Sequence, residues 1–134
     1  MAKESGMGMS CAIDDSGGSA RTISNDITNL DWSNPRGVQD VTGLDKSAME
    51  RLLLLADFSI TVNGVFNDAT NTSHDVFKTV TSTSVARTVT LGISGQSLPN
   101  ETFFSDYSIT RGTDGSATYT APGSLTGGVV PTWA

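Results

Sequence analysis

The side chains with the clearest catalytic potential lie in residues 12–20, "AIDDSGGSA". The string Asp15-Ser16-Gly17-Gly18 matches the surroundings of the nucleophile in one class of serine protease. A serine nucleophile needs a histidine base oriented by a carboxylate, and in that class the histidine precedes the serine along the chain. Here the only histidine, His74, lies far downstream of Ser16. Asp, Ser and Gly also favour tight turns, so the string predicts a turn and we assign no catalytic residue.

The sequence also contains no pattern typical of a metal or cofactor site. Asp14 and Asp15 are adjacent carboxylates, but the spacing of acids that surrounds a bound calcium ion is absent. One cysteine, Cys11, and one histidine cannot supply a zinc site. The glycine-rich strings that cradle nucleotide phosphates are also missing. We therefore expect no metal, no cofactor and no enzymatic activity.

The charge of the chain limits its partners. The 134 residues carry a net charge of −6 at pH 7, and the sequence shows no basic patch, so we expect no tight binding to nucleic acid through its phosphates. The apolar run "RLLLLA", residues 51–56, is far too short to span a bilayer. We expect no membrane binding by this protein.

The elements that position these residues are mainly strands. Apolar residues alternate with polar ones through 54–62, 85–93, 101–111 and 117–121, as expected for strands with one buried face. The segment 112–116 contains Asp114-Gly115, a pair typical of hairpin turns. The pattern predicts a mainly β fold, an antiparallel β-sandwich or open barrel of two packed sheets with a short flanking helix.

The predicted helix covers about residues 47–54. Ser47 and Glu50 have the spacing of a capping box, in which each side chain bonds to the backbone N–H of the other. Good helix formers follow in the sequence. The long polar segment 24–45 contains turn signals, so it is predicted to be a loop, within which Val38 and Val41 could form a short strand. Residues 1–10 are predicted to be a flexible arm, and residues 122–134 an extended tail.

Two tryptophans lie in polar segments outside the alternating strands. Trp32 and Trp133 either cap the core or anchor a contact with another subunit, because tryptophan is enriched at the centres of protein interfaces. With its flexible termini and long loop, the chain is typical of a β-rich domain that functions in an assembly.

Several longer strings suggest which assembly. "DVTGLDKSAMERLLLLAD" and "NGVFN", with "HDVFKTV", "RTVTLGISG" and "DYSITRGTDGS", resemble the major tail, or tail tube, proteins of bacteriophages with long non-contractile tails, in particular those of actinobacterial phages. The likeness covers roughly residues 11–121, most of the chain. It implies a single β-sandwich domain with a flanking helix and no catalysis.

The resemblance also implies partners and a location. Six copies would form a ring, and rings would stack into a tube in the virion tail after synthesis in the bacterial cytoplasm. The lumen would hold the tape measure protein and later pass double-stranded DNA without specific binding. Tail terminator and tail tip proteins would meet the two ends of the tube.

Two sets of residues are candidates for these roles. Polar residues on the predicted strands suit a DNA channel and suit bulk solvent equally well. They are Asp57, Ser59, Thr61, Asn63, Thr88, Thr90, Asp106 and Ser108. The candidate contacts between subunits lie in the 24–45 loop and the tail, and they are Trp32, Pro35, Arg36, Asp40 and Trp133.

Three alternatives remain open from the sequence. A tail terminator forms one ring, and a capsid decoration protein forms a surface lattice, so neither would build an open stack. An immunoglobulin-like adhesion module would act as a monomer.

Overall fold

The computed structural model describes residues 3–134, and within this range the chain forms ten strands, one short α-helix and a 3₁₀ turn. The strands are β1 (Ser10–Asp14), β2 (Ala20–Thr22), β3 (Ile27–Ser33), β4 (Arg36–Asp40), β5 (Arg51–Ala56), β6 (Ser59–Val65), β7 (Arg87–Ile93), β8 (Gln96–Phe104), β9 (Ser108–Arg111) and β10 (Ala117–Leu125). The helix α1 is Ser73–Phe77, and the 3₁₀ turn is Ser24–Asp26.

The strands form two antiparallel sheets. The larger has eight strands in the order β2-β1-β7-β8-β10-β6-β3, and β9 pairs beside β10. The smaller contains only β4 and β5. The prediction of a mainly β fold with two antiparallel sheets and one short helix is confirmed, and both sheets stay open rather than closing into a barrel.

The core lies on one face of the eight-stranded sheet because the strands alternate. In β6, Ile60 and Val62 are buried, while Ser59, Thr61 and Asn63 point to the other face. Helix α1 covers the buried face. There the Phe77 ring packs against three aromatic rings that line the opposite side of the core, at centroid distances of 5.2–5.6 Å. The most deeply buried core residues are Ile13, Phe58, Val62, Val76, Phe77, Val89, Leu91, Leu98 and Ala121.

One charged side chain, Arg87, is part of this interior although it interrupts an apolar strand face. It is 1% exposed. Its guanidinium donates to the carbonyl oxygens of Asp14 at 3.0 Å and Val76 at 2.8 Å, and to Thr79 Oγ1 at 3.1 Å. Burial lowers its pKa from the usual arginine value. Arg87 therefore ties the end of β1, helix α1 and the segment after it to one point.

The predicted helix at residues 47–54 is wrong. Arg51–Ala56 is strand β5, and residues 47–50 form bends and irregular backbone rather than a helical turn. The Glu50 N–H donates to Thr42 Oγ1 at 2.9 Å instead of to Ser47, so the capping box does not form. Pairing with β4 outweighs the helix propensity of the leucines, which is a weak preference. The helix forms at Ser73–Phe77 instead.

The segments predicted as loop and tail are more ordered than expected. Residues 24–45 contain the 3₁₀ turn and strands β3 and β4. Strand β10 runs on to Leu125, and further along the tail the N–H and carbonyl groups of Ala134 both bond to Ser97, at 2.9 and 3.0 Å. The predicted N-terminal arm covered residues 1–10: residues 1 and 2 lie outside the described residues, residues 3–9 precede β1, and Ser10 is the first residue of β1. Among residues 3–134, no helix has the length and apolar character needed to cross a bilayer.

Candidate assembly surfaces

The most prominent surface feature is a hairpin that extends the sheet, formed by residues 34–57 and called here the arm. Strands β3 and β6 pair up to Ser33 and Ser59, and the same two chain segments pair again beyond a short break as β4 and β5. The break contains Pro35, which has no N–H to donate to a ladder. Its carbonyl oxygen accepts from the Asp57 N–H at 2.8 Å, and this bond keeps the two segments together.

The far end of the arm is closed by hydrogen bonds around Thr42. Its hydroxyl donates to Asp40 Oδ1 at 2.6 Å and accepts from the Glu50 N–H at 2.9 Å. The Val41 N–H donates to the Glu50 carbonyl oxygen at 3.0 Å. The hydroxyl and N–H of Thr42 lower the pKa of Asp40 from the usual aspartate value, so at neutral pH the charged carboxylate helps to keep the arm closed.

Large apolar side chains on the arm are exposed. The four consecutive leucines of β5 are between 44% and 90% exposed, and Val38 on β4 is 55% exposed. An exposed apolar cluster of this kind marks an interaction surface in a soluble protein. The exposed apolar residues of the arm are Val38, Val41, Leu44, Met49, Leu52, Leu53, Leu54 and Leu55.

The second candidate surface is the face of the large sheet opposite the core, called here the outer face. The register places Asn63 on β6 between Asn29 on β3 and Thr120 on β10, and Thr61 between Asp31 and Pro122. Small hydroxyl and amide side chains bond across these strands, as from Thr120 Oγ1 to Asn63 Oδ1 at 2.8 Å. The strand positions on this face, within the described residues, include the acids Asp14, Asp31 and Glu101 and no lysine or arginine.

Six of the eight polar residues proposed for a channel share the outer face. They are Ser59, Thr61, Asn63, Thr88, Thr90 and Ser108. The other two lie in connections between strands, where each carboxylate accepts from the next residue's backbone N–H: Asp57 from Phe58 and Asp106 from Tyr107, both at 2.8 Å.

The proposed contact residues separate into three places. Pro35, Arg36 and Asp40 belong to the arm, where Arg36 Nε donates to the Leu54 carbonyl oxygen at 3.0 Å. Trp32 packs against the core on β3, and Trp133 is 44% exposed in the segment after β10. Ser47 and Glu50 lie near the far end of the arm and do not cap a helix.

The arm leucines are functional candidates that the sequence interpretation missed, because residues 52–54 were assigned to a helix and residues 54–62 to a strand with one buried face. A signal was present in the run "RLLLLA". A strand with apolar residues at consecutive positions has two apolar faces, and a helix of that length has no polar face to give to solvent.

The side chains considered for catalysis or metal binding lie in a turn, in a hydrogen bond or in the core. Asp15 forms the turn between β1 and β2, where Oδ1 accepts from the N–H groups of Gly17 and Ser19, and these bonds lower its pKa. His74 Nδ1 lies 3.1 Å from the Tyr107 hydroxyl. Burial raises the pKa of the Cys11 thiol to about 12, so the thiolate nucleophile is scarce at neutral pH. Residues 3–134 contain no cluster of three metal-ligating side chains.

Comparisons with known proteins give a likeness of fold. No family model matches the sequence, and no curated protein matches it. A chain in the virion of a native gene transfer agent particle superposes with a TM-score of 0.77 at 18% identity, covering 97% of this chain and 99% of that one. A chain in the tail of an empty gene transfer agent particle, refined with helical and C6 symmetry, gives 0.77 at 19% identity and 98% coverage of both chains. At this identity, the likeness establishes a shared fold over almost the whole of both chains.

Proposed function

We propose that this protein is a structural subunit of a virion tail, and specifically of a tail tube built from stacked rings of six copies. The observation that carries the proposal is the end-to-end fold likeness to a chain of a helical tail with C6 symmetry. An enzyme or a monomeric adhesion module would not need the exposed apolar arm, whereas a self-assembling subunit would.

The arm supplies the contact between subunits in this proposal. A two-stranded hairpin is only marginally stable alone in water. Burial of its exposed leucines against another subunit would stabilise it. At about 25 cal/mol per Å² of apolar surface removed from water, covering one such leucine contributes on the order of 1–2 kcal/mol. Repeated around a ring and along a tube, these contacts support an ordered assembly without any covalent link.

The outer face of the sheet supplies the channel wall. Double-stranded DNA binds tightly to surfaces that neutralise its phosphates and release counterions. The outer face consists mainly of Ser, Thr and Asn side chains, with a few carboxylates, the exposed apolar residues Val65 and Phe103, and no lysine or arginine, so it offers no such contact. DNA would therefore pass without being retained, and the tape measure protein would occupy the same channel during assembly.

The proposal places the protein in the virion tail, between a tail tip complex at one end and a terminator at the other. The partners at the two ends would contact the same surfaces that the subunits use with each other, since the end rings expose them. Assembly in the bacterial cytoplasm requires no membrane contact by this subunit.

Purified protein tests the proposal. Sedimentation velocity over a hundredfold concentration range should show a transition from monomers to large species, and negative-stain microscopy should show hollow tubes of uniform width. Single closed rings that never stack would indicate a terminator-like protein instead. Monomers at every concentration and salt condition would contradict self-assembly.

A further inference from the structure

We infer that residues 67–79, called here the cover, open and close over the core as one unit, held at its two ends by Asp26 and Arg87. The cover lies in the connection between β6 and β7 and contains helix α1. This motion belongs to the single subunit and occurs whether or not subunits assemble.

The backbone of the cover bonds within the cover and to the residues that directly follow it. The internal bonds run from the His74 N–H to the Asn67 carbonyl oxygen, from Val76 to Thr72 and from Lys78 to His74, at 2.8–3.3 Å. Among residues 3–134, no strand forms a backbone ladder with the cover. The cover is therefore attached to the sheets through side chains.

Helix α1 is too short to be stable by itself. It has five residues, whereas isolated helices shorter than about 12–15 residues are marginal in water. The residue before it, Thr72, forms no side-chain cap. Formation of this helix therefore depends on contacts with the rest of the chain.

The contact at the first end of the cover is the carboxylate of Asp26, in the 3₁₀ turn between β2 and β3. Its Oδ2 accepts from the N–H of Ser73, the first residue of α1, at 3.1 Å, and its Oδ1 accepts from Asn67 Nδ2 at 2.8 Å. Asp26 and Ser73 are both buried. The carboxylate satisfies a free N–H group at the start of the helix, where the helix dipole favours a negative charge.

The contact at the second end is the buried guanidinium of Arg87, at the start of β7. It donates to the carbonyl oxygen of Val76, near the end of α1, at 2.8 Å and to Thr79 Oγ1 at 3.1 Å. The helix dipole favours a positive charge at this end. Among the described residues, neither Asp26 nor Arg87 forms an ion pair, so both buried charges depend on hydrogen bonds to neutral groups, many of them in the cover.

The two ends are coupled because the helix between them is so short. Loss of either contact removes the support that a five-residue helix needs, so the whole cover should be released rather than one half of it. Internally bonded segments with few attachments open as cooperative units, at a lower free energy than global unfolding. Opening exposes the three aromatic rings against which Phe77 packs.

Native-state amide hydrogen exchange of the full chain, followed by NMR at increasing urea concentration, tests the inference. The N–H groups of Val76 and Lys78 should exchange with one common opening free energy. That free energy should be smaller, and fall less steeply with urea, than the value for the N–H groups of β7, because opening of the cover exposes less surface than global unfolding. Equal free energies and urea slopes for the cover and β7 would overturn the inference.

Substitutions at the two ends provide the second readout. Asp26→Asn should speed exchange at both Val76 and Lys78 by about tenfold or more, although Lys78 lies at the end away from Asp26. Thr79→Val removes an acceptor of Arg87 at the other end and should also speed exchange at both positions. If each variant affects only the N–H groups at its own end, the cover does not open as one unit.

The matched control is Asp75→Asn, the same chemical change on α1 itself. Asp75 pairs with the exposed Lys78 at 2.9 Å, and surface ion pairs contribute little to stability. We expect exchange in the cover to change by less than about threefold. A control effect as large as that of Asp26→Asn would show that charges of the helix, rather than those of the body, hold the cover, and would overturn the inference.

Discussion

Strands β5 and β6 follow each other along the chain and carry opposite patterns of apolar side chains. In β6, apolar residues alternate with polar ones, and the apolar set is buried in the core of the same chain. In β5, the apolar residues are consecutive, and all four leucines are exposed. The same kind of side chain thus stabilises the monomer in one strand and is available for a partner in the next. Matched substitutions in the body and the arm test this difference.

The largest difference in stability is expected between alanine substitutions of two arginines. Arg87→Ala removes the donor that satisfies two carbonyl oxygens and a hydroxyl in the interior and leaves a cavity, so it should lower the free energy of unfolding by about 3–5 kcal/mol. Arg51→Ala, on the exposed start of β5, should change it by less than about 0.5 kcal/mol. Urea denaturation followed by circular dichroism measures both. Equal losses would mean that the arm is part of the folded core.

Two aliphatic residues provide the next comparison. Ile60 is 2% exposed and Leu55 is 90% exposed. Ile60→Ala should destabilise the monomer by about 2–4 kcal/mol through lost burial and cavity formation. Leu55→Ala should leave monomer stability unchanged within about 0.5 kcal/mol and weaken assembly instead. Thermal unfolding of dilute monomers and sedimentation of concentrated protein separate the two effects. A melting temperature lowered by Leu55→Ala would contradict the assignment of that side chain to a partner.

Asparagine substitutions of two aspartates should give a smaller difference in stability. Asp26 is buried, and its carboxylate accepts from Asn67 Nδ2 at 2.8 Å and from the Ser73 N–H at 3.1 Å. Asp26→Asn places an amide donor against one of these donors, so we expect the free energy of unfolding to fall by about 2 kcal/mol. Asp40→Asn, on the arm, should leave global unfolding unchanged and speed hydrogen exchange at the Glu50 N–H. If that N–H exchanges equally slowly in the variant and in the wild type, Asp40 does not close the arm.

The smallest expected effect is the pH dependence of the arm that comes from Asp40. The pKa of Asp40 is lowered in the folded chain, so its contribution is present above the usual aspartate range and is lost as pH falls through the lowered value. Backbone chemical shifts near Thr42 should move as Asp40 is protonated, and Asp40→Asn should remove this movement, while the shifts of the core residues Leu91 and Leu98 stay constant. Simultaneous movement of both regions would indicate global acid unfolding.

The body of the fold was largely predictable from the sequence, and the arm was not. Alternation in β6 and the Asp114-Gly115 turn are local signals, and both appear in the structure as predicted. Gly115 has a φ of 92°, a conformation that glycine adopts without strain. The secondary structure of Arg51–Ala56 depends on pairing with residues 36–40, and helix propensity predicted the wrong structure there. The outer-face residues were found because alternation predicts their side, whereas an uncovered apolar strand violates the rule that assigns apolar residues to the core.

The central claim, that this chain builds a tail tube, is tested most directly by a helical cryo-EM reconstruction of filaments formed by the purified protein. The account predicts a hollow tube with six copies in each ring, with Thr61 and Asn63 facing the lumen and the arm between subunits. A filament without a lumen, a tube with another ring number, or an arm exposed to solvent along the outside would contradict it.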